Sequence, residues 1–277
     1  MVMSSKLVPS DPAKVMVIRD VVPRVITTLS TPFWRFGRVK IGGRGTIVRL
    51  ESGSLAVFSP VALTDDVKAK VSELGEVKYI AALDAEHHIF LGPWHKEYPN
   101  AQVMGPDVLP EKRAKQKDED VPFSFLFSKS KPVETISPEF DAEFDWEYVP
   151  SHINKELVFH HRPSRSLITA DLMFNLPATE QFSKSGVDPN TGILTKLFVA
   201  MQNTKGDAKW QQRTIWYGTS ASDRQGFAQS MERISKWGFE RIIPCHGDVI
   251  EGEGKPIFDK IMRWHLDAAA KERAKSN

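Results

Sequence analysis

Side chains able to bind a metal recur just past the ends of apolar, strand-like runs. That placement restricts the fold more than any other feature of the chain. His88 follows the run 77–83, His152 follows 146–149, Asp171 follows 166–170 and His246 follows 239–243. The chain has only 8 histidines in 277 residues. Three of them at strand ends, with an aspartate at a fourth, call for a rigid scaffold that brings those ends to one edge. Imidazole and carboxylate are ligands that Zn2+, Fe2+ and Mn2+ accept.

The pattern between these points is strands followed by helices, twice over. Residues 15–18 and 25–29 are strand-like. Residues 46–50 and 55–58 flank the turn Glu51-Ser52-Gly53-Ser54, a hairpin in which Gly53 supplies the positive φ. Thr64 caps a helix running to Leu74, with Val67, Val71 and Leu74 on one face and Gly75 as its stop. Residues 77–83 then read as a buried strand. The centre, 111–140, gives no clear elements. It holds the charge cluster 112–120, a Phe-rich segment and three prolines, and the cluster reads as a solvated loop or short helix. Strands are expected at 146–149, 157–160 and 166–170. The last third is helical: Ile193, Leu194, Leu197, Phe198 and Met201 share one face, Phe227, Met231, Ile234 and Trp237 another, and a closing helix spans about 257–271. Residues 1–14 read as a flexible arm and 15–277 as a single α/β domain of two sheets sandwiched between helices.

The order and spacing of the polar residues resemble the metallo-β-lactamase superfamily. Pro150-Ser151-His152-Ile153-Asn154 resembles its third motif, and Thr169-Ala170-Asp171-Leu172 its fourth, with Ala170 where Gly is usual. Pro244-Cys245-His246-Gly247-Asp248 resembles the last motif and is the best local match. Ser59-Pro60 stands where the first motif has Asp. The second motif departs most. In Leu83-Asp84-Ala85-Glu86-His87-His88, Leu83 and Ala85 replace two histidines, His87 replaces Asp, and only His88 matches. The stretch from Ser59-Pro60 through His87-His88-Ile89-Phe90-Leu91 to Trp94 also resembles an uncharacterised branch of that superfamily, a domain of unknown function found in fungi and bacteria.

The resemblance implies a metallo-β-lactamase-like αββα four-layer sandwich over roughly residues 15–265. It implies a metal site drawn from His87, His88, His152, Asp171 and His246. With its first position reduced to His152 and a share of Asp171, the centre is expected to hold one divalent ion: zinc first, with iron or manganese as alternatives. Asp84 or Glu86 is the expected catalytic group, orienting or deprotonating a water. The function so implied is a metal-dependent hydrolase of a small ester, lactone, amide or thioester. Two other readings stay open: iron-dependent redox, lyase or isomerase chemistry, or a catalytically inactive binding protein. Taken alone, His87-His88 also reads as a surface pair, His152 as a hydrogen-bonded loop residue, Asp171 as a cap and His246-Gly247 as an ordinary turn. Phe33, Trp34 and Phe36 suit either a pocket lining or packing, while His95, His160, His161 and His265 read as scaffold.

Composition narrows the partners. The formal net charge is +2 with both signs mixed along the chain, so no strong field calls for nucleic acid. No stretch approaches the roughly 20 apolar residues that span a bilayer. The single cysteine, Cys245, excludes an intrachain disulfide, and no secretory signal is visible. The expectation is a cytoplasmic protein with a small-molecule substrate, no nucleic-acid or membrane partner, and an open question of homo-oligomer formation.

Overall fold

Gly53 takes φ 90° at the tip of the turn, and the two strands it joins pair with Thr46 opposite Phe58 and Arg49 opposite Leu55. That hairpin sits inside a larger sheet. In the computed structural model, which describes residues 10–276, the first half of the chain forms nine strands. They are β1 (Val17–Val22), β2 (Ile26–Thr31), β3 (Trp34–Arg35), β4 (Val39–Lys40), β5 (Gly43–Arg49), β6 (Ser54–Phe58), β7 (Glu76–Ala81), β8 (Gln102–Pro106) and β9 (Phe125–Phe127). Seven make one sheet in the order β1-β2-β5-β6-β7-β8-β9, and β3 pairs with β4 alone as a separate hairpin. The second half supplies β10 (Phe144–Val149), β11 (Glu156–His161), β12 (Ser166–Thr169) and β13 (Arg241–Pro244), which form a four-stranded sheet in that order.

The two sheets face each other across an aromatic core. Phe140 stacks on Phe144 at 4.4 Å, and Phe58 meets Phe159 at 4.9 Å and Phe144 at 5.4 Å. Ile168, Met104, Phe127 and Ile243 fill the same layer. The other face of the first sheet packs under helices Asp65–Leu74, Leu91–Glu97 and Leu109–Gln116 through Val67, Val71, Leu74, Leu91, Trp94 and Leu109. The second sheet is covered by Arg224–Ser235 and Gly254–Ser276 through Phe227, Met231, Ile234, Phe258, Ile261 and Met262. Each of these sheets and helices has an apolar side, and the four layers bury it.

Several elements form where local chemistry demands. Thr64 accepts the Val67 N–H, Gly75 ends the helix at φ 152°, and the helix spans Asp65–Leu74. The ill-defined centre resolves into the helix Leu109–Gln116, the short β9 and the helix Pro138–Glu143 capped by Ser137. The arm expected over residues 1–14 lies outside the described residues up to residue 9, and Pro12–Val15 form a helical turn capped by Asp11. The helix Ile193–Met201 departs from its sequence pattern. Ile193, Leu194 and Leu197 are 87%, 49% and 59% exposed, while Thr195 is buried because its hydroxyl accepts the Lys40 N–H. No helix among the described residues is long and apolar enough to cross a membrane.

Parallel pairing sets where the loops go. β6, β7 and β8 run parallel to one another, and β12 runs parallel to β13. Their C-terminal ends therefore open on common edges. The sheets are tied there: the Leu157 N–H donates to the Leu83 carbonyl at 2.6 Å, and the Ala85 N–H to the Asn154 carbonyl at 2.9 Å.

Two outcomes are expected. Truncation of Phe159 to alanine, at the centre of the inter-sheet layer, costs about 3–5 kcal/mol in urea unfolding; a loss under about 1 kcal/mol would contradict this packing. Glu139 offers a pH test. Burial pushes its carboxyl up, but Lys78, Ser52, Tyr79 and Ser54 outweigh burial and hold it down to about 2. A depressed folded pKa adds stability above the unfolded value, and that stability drains away as pH falls from about 4.5 towards 2. Glu139→Gln should cost about 1 kcal/mol at pH 7 and converge with the parent near pH 2–3.

Candidate metal centre

Two imidazoles and a carboxylate converge at the edge where both sheets end. His87 lies in the loop after β7, Asp171 just past β12 and His246 just past β13. The Nε2 atoms of His87 and His246 are 3.1 Å apart, and His246 Nε2 stands 3.2 Å from Asp171 Oδ1. One ligand atom from each of the three lies within 4.8 Å of the other two. Two nitrogens bound tetrahedrally to zinc at ~2.0–2.1 Å sit roughly 3.3 Å apart, so the observed spacings match the edges of such a polyhedron.

The outer nitrogens fix the tautomers. His246 Nδ1 is 2.7 Å from the carbonyl of Gly42, which can only accept, so Nδ1 carries the proton. His87 Nδ1 lies 2.8 Å from Asp84 Oδ1, which likewise accepts. In neutral rings both Nε2 lone pairs then face one gap, as in metal-bound histidines whose second nitrogen donates to a carbonyl or carboxylate. A cation in the gap relieves the repulsion. Without one, a proton does: burial opposes charge on His87, but the carboxylates of Asp84 and Asp171 raise its pKa well above the usual imidazole value. Burial would also raise Asp171, yet the surrounding His87, His246 and His152 hold its carboxyl far below the usual range.

The other expected residues divide. His88 turns the opposite way from its neighbour. Its Nδ1 accepts from Arg113 at 3.2 Å and faces Asp118 at 3.6 Å, and burial together with Arg113 and Lys112 pulls its pKa down to about 4. It is not among the converging donors, and Arg113 holds its ring on the other side. His152 lies nearby and is buried, but its Nδ1 accepts the Asn154 N–H at 3.1 Å, which leaves the proton on Nε2. That Nε2 has no hydrogen-bond partner among the described residues and points to Glu156 Oε2, 3.5 Å away. Ligation through Nε2 requires that proton to leave, and His152 is not among the converging donors. Asp84 is fully buried, and its Oδ1 accepts from the backbone of Glu86 and His87 as well as from the His87 ring, while Oδ2 is unpartnered. Glu86 is neutralised by Lys112 at 2.6 Å.

Three groups that sequence patterns did not single out hold the loops. Arg44 on β5 is fully buried. It donates to the carbonyls of Pro244 (2.7 Å) and Gly247 (2.6 Å), to Ser30 Oγ (3.1 Å) and to Glu180 Oε1 (3.1 Å). Gln181 accepts the Gly247 N–H and donates to the Cys245 carbonyl. Glu156, fully buried on β11, accepts the N–H groups of Ala170 and Asp171 at 2.7 and 2.9 Å, and Asn154 Nδ2 donates to Asp171 Oδ2 at 2.7 Å. Gly247 has φ 89°, and a Cβ there would sit 2.1 Å from the Asn175 carbonyl oxygen, so the turn behind His246 requires glycine. Burial pushes the Cys245 thiol up to about 11, which removes it as a nucleophile near neutral pH.

A cleft of about 120 Å3 opens on His87 and His246, walled by Phe33, Pro60, Val61, Ala62 and Phe90. Phe33 also faces the His246 ring at 6.3 Å, whereas Trp34 packs on Phe182 and Phe36 is exposed. His160 and His161 are buried in β11 against Asp145 and Glu143, and His265 against Ser220.

Four layers with metal-type donors at the shared strand ends define the metallo-β-lactamase fold, and solved structures agree. The chain aligns with a metallo-β-lactamase from Pontibacter korlensis at TM-score 0.56 and 8% identity, over 91% of this chain and 99% of that one. The Flv1 flavodiiron core from Synechocystis sp. PCC6803 aligns at TM-score 0.62 and 13% identity, over 92% and 62%. A fragment of diflavin flavoprotein A 5 from Nostoc sp. PCC 7120 aligns at TM-score 0.60 and 12% identity, over 94% and 98%. The chain belongs to the family described as Domain of unknown function (DUF4336), whose model matches residues 35–216. No curated protein matches the chain.

Arg44→Met tests the clamp. Breaking one side of a buried charged pair should cost about 3 kcal/mol in urea unfolding, and loosening the His246 loop should weaken zinc affinity roughly tenfold or more. Unchanged zinc affinity in a folded variant would contradict the positioning role.

Proposed function

We propose that this protein is a metal-dependent hydrolase of a small ester, lactone, amide or thioester, working at a single divalent ion, zinc in the first instance. The observation that carries the reading is the His87–His246 pair, whose Nε2 atoms face each other at 3.1 Å with both Nδ1 protons committed elsewhere. Asp171 completes a three-donor set, the number that catalytic zinc sites use when they keep a fourth position open. A second ion would have to draw on His152, whose Nδ1 already accepts a backbone N–H.

A divalent ion, when bound, polarises a carbonyl oxygen and makes water a better nucleophile at neutral pH. The chain's own residues do the rest. His87 is aimed by Asp84, His246 by the Gly42 carbonyl, and Asp171 by Asn154. The apolar wall of Phe33, Pro60, Val61 and Ala62 keeps bulk water from the acyl group. Asp84, whose Oδ1 holds the His87 ring and whose buried Oδ2 has no partner among the described residues, is the proposed acceptor of the proton that water gives up. The water oxygen bonds to the acyl carbon, the bond to the leaving oxygen, nitrogen or sulfur breaks, and the leaving group takes the proton. Glu86, held by Lys112, serves as cleft wall.

Elemental analysis tests this reading. Purified or reloaded protein should carry about one divalent ion per chain, with under roughly a tenth remaining in His246→Ala. Hydrolysis of an ester and thioester panel should fall on the order of a hundredfold or more in that variant. Parent protein that stays below roughly a tenth of an ion after dialysis against zinc, iron and manganese overturns the proposal. Iron as the resident ion, with an oxygen-sensitive optical spectrum, moves the chemistry to the redox class.

A further inference from the structure

The cleft beside His87 and His246 is apolar on most of its wall, yet two arginines, Arg35 and Arg44, belong to its lining. Their situations differ. Arg44 is spent: it is fully buried, paired with Glu180 and bonded to two carbonyls and a hydroxyl. The one carboxylate on the lining, Glu86, is likewise spent on Lys112 at 2.6 Å. Arg35, in the β3–β4 hairpin, makes no ion pair and no side-chain hydrogen bond among the described residues. Its contact is with the Phe36 ring, whose centroid lies 5.0 Å from the guanidinium carbon. It is half-buried and therefore partly desolvated. A cation held against an aromatic ring at the lip of an apolar cleft, with its donors unused, is arranged to receive an anion.

We propose that Arg35 makes this cleft a carboxylate-recognition site, so that its ligand is a small molecule with one free carboxylate and a short apolar arm. A planar fork of N–H donors matches the two oxygens of a carboxylate. In metal-free protein Arg35 is the one cation on the lining with no ion-pair partner among the described residues, so it balances one negative charge, whereas a phosphate dianion would call for a second. The apolar arm lies against Pro60, Val61, Ala62, Ile89 and Phe90. For the hydrolase, the substrate class narrows to esters, thioesters, lactones or amides that also carry a free carboxylate. That last step rests on the functional reading above; the binding claim does not.

The test is calorimetric titration with phenylacetate, its uncharged isostere phenylacetamide, and phenyl phosphate, on zinc-loaded and on chelator-stripped protein. Stripped protein separates Arg35 from capture of the carboxylate by the ion. Phenylacetate should bind about tenfold more tightly than phenylacetamide in both forms, and more tightly than phenyl phosphate. Arg35→Gln should erase the preference for the acid, and Arg35→Lys should keep part of it. Because Arg35 carries no structural bonds, both variants should unfold at the parent's midpoint. Equal binding of acid and amide by stripped parent protein overturns the proposal, as does a preference that survives Arg35→Gln or a complete lack of phenylacetate binding. Failure to load zinc, with the preference intact in stripped protein, counts against the hydrolase and leaves the carboxylate site standing.

Discussion

Two imidazole nitrogens facing each other across 3.1 Å, each with its lone pair directed inward, are the constraint around which the rest of this site is organised. Such an arrangement is unfavourable unless a proton or an ion fills the gap, and it persists only if the surrounding structure fixes both rings. One fixing group is local and the other distant: Asp84 comes from the loop of His87 itself, and the Gly42 carbonyl from the turn before β5. Arg44 and Gln181 then lock the loop from Pro244 to Gly247 through its backbone. Two facing sheets supply the rigidity, since parallel pairing in each brings these strand ends to one edge.

The buried charges around the gap balance one another. Asp84 and Asp171 face His87 and His246, and each carboxylate is met by backbone or amide donors. Removing a single partner leaves a desolvated charge, so the centre is brittle to mutation in a way that the aromatic core is not. The converging donors, two imidazoles and one carboxylate, carry at most one negative charge between them.

Much of the architecture was legible because its signals are local. Thr64 and Gly75 bracket their helix, Gly53 marks the hairpin turn, and His246-Gly247 ends a short apolar strand. Of the five expected ligands, His87, Asp171 and His246 come together. His88 and His152 do not, and the reason lies beyond sequence spacing. Which of two adjacent histidines faces the gap depends on Arg113 waiting on the other side, and the tautomer of His152 depends on one backbone N–H from Asn154. Arg44 and Glu156 escaped notice for a related cause. A charged residue inside a strand gives no periodic signal that its partners are loop carbonyls and N–H groups up to 203 positions away. The short elements between 109 and 143 are shaped by the core they cover rather than by their own propensity.

An X-ray absorption spectrum at the zinc edge of the reloaded protein tests the central claim most directly. The account predicts a first shell of nitrogen and oxygen at about 2.0–2.1 Å with outer-shell scattering from two imidazoles and no sulfur. A shell with four imidazoles, or with a sulfur at about 2.3 Å from Cys245, would contradict it.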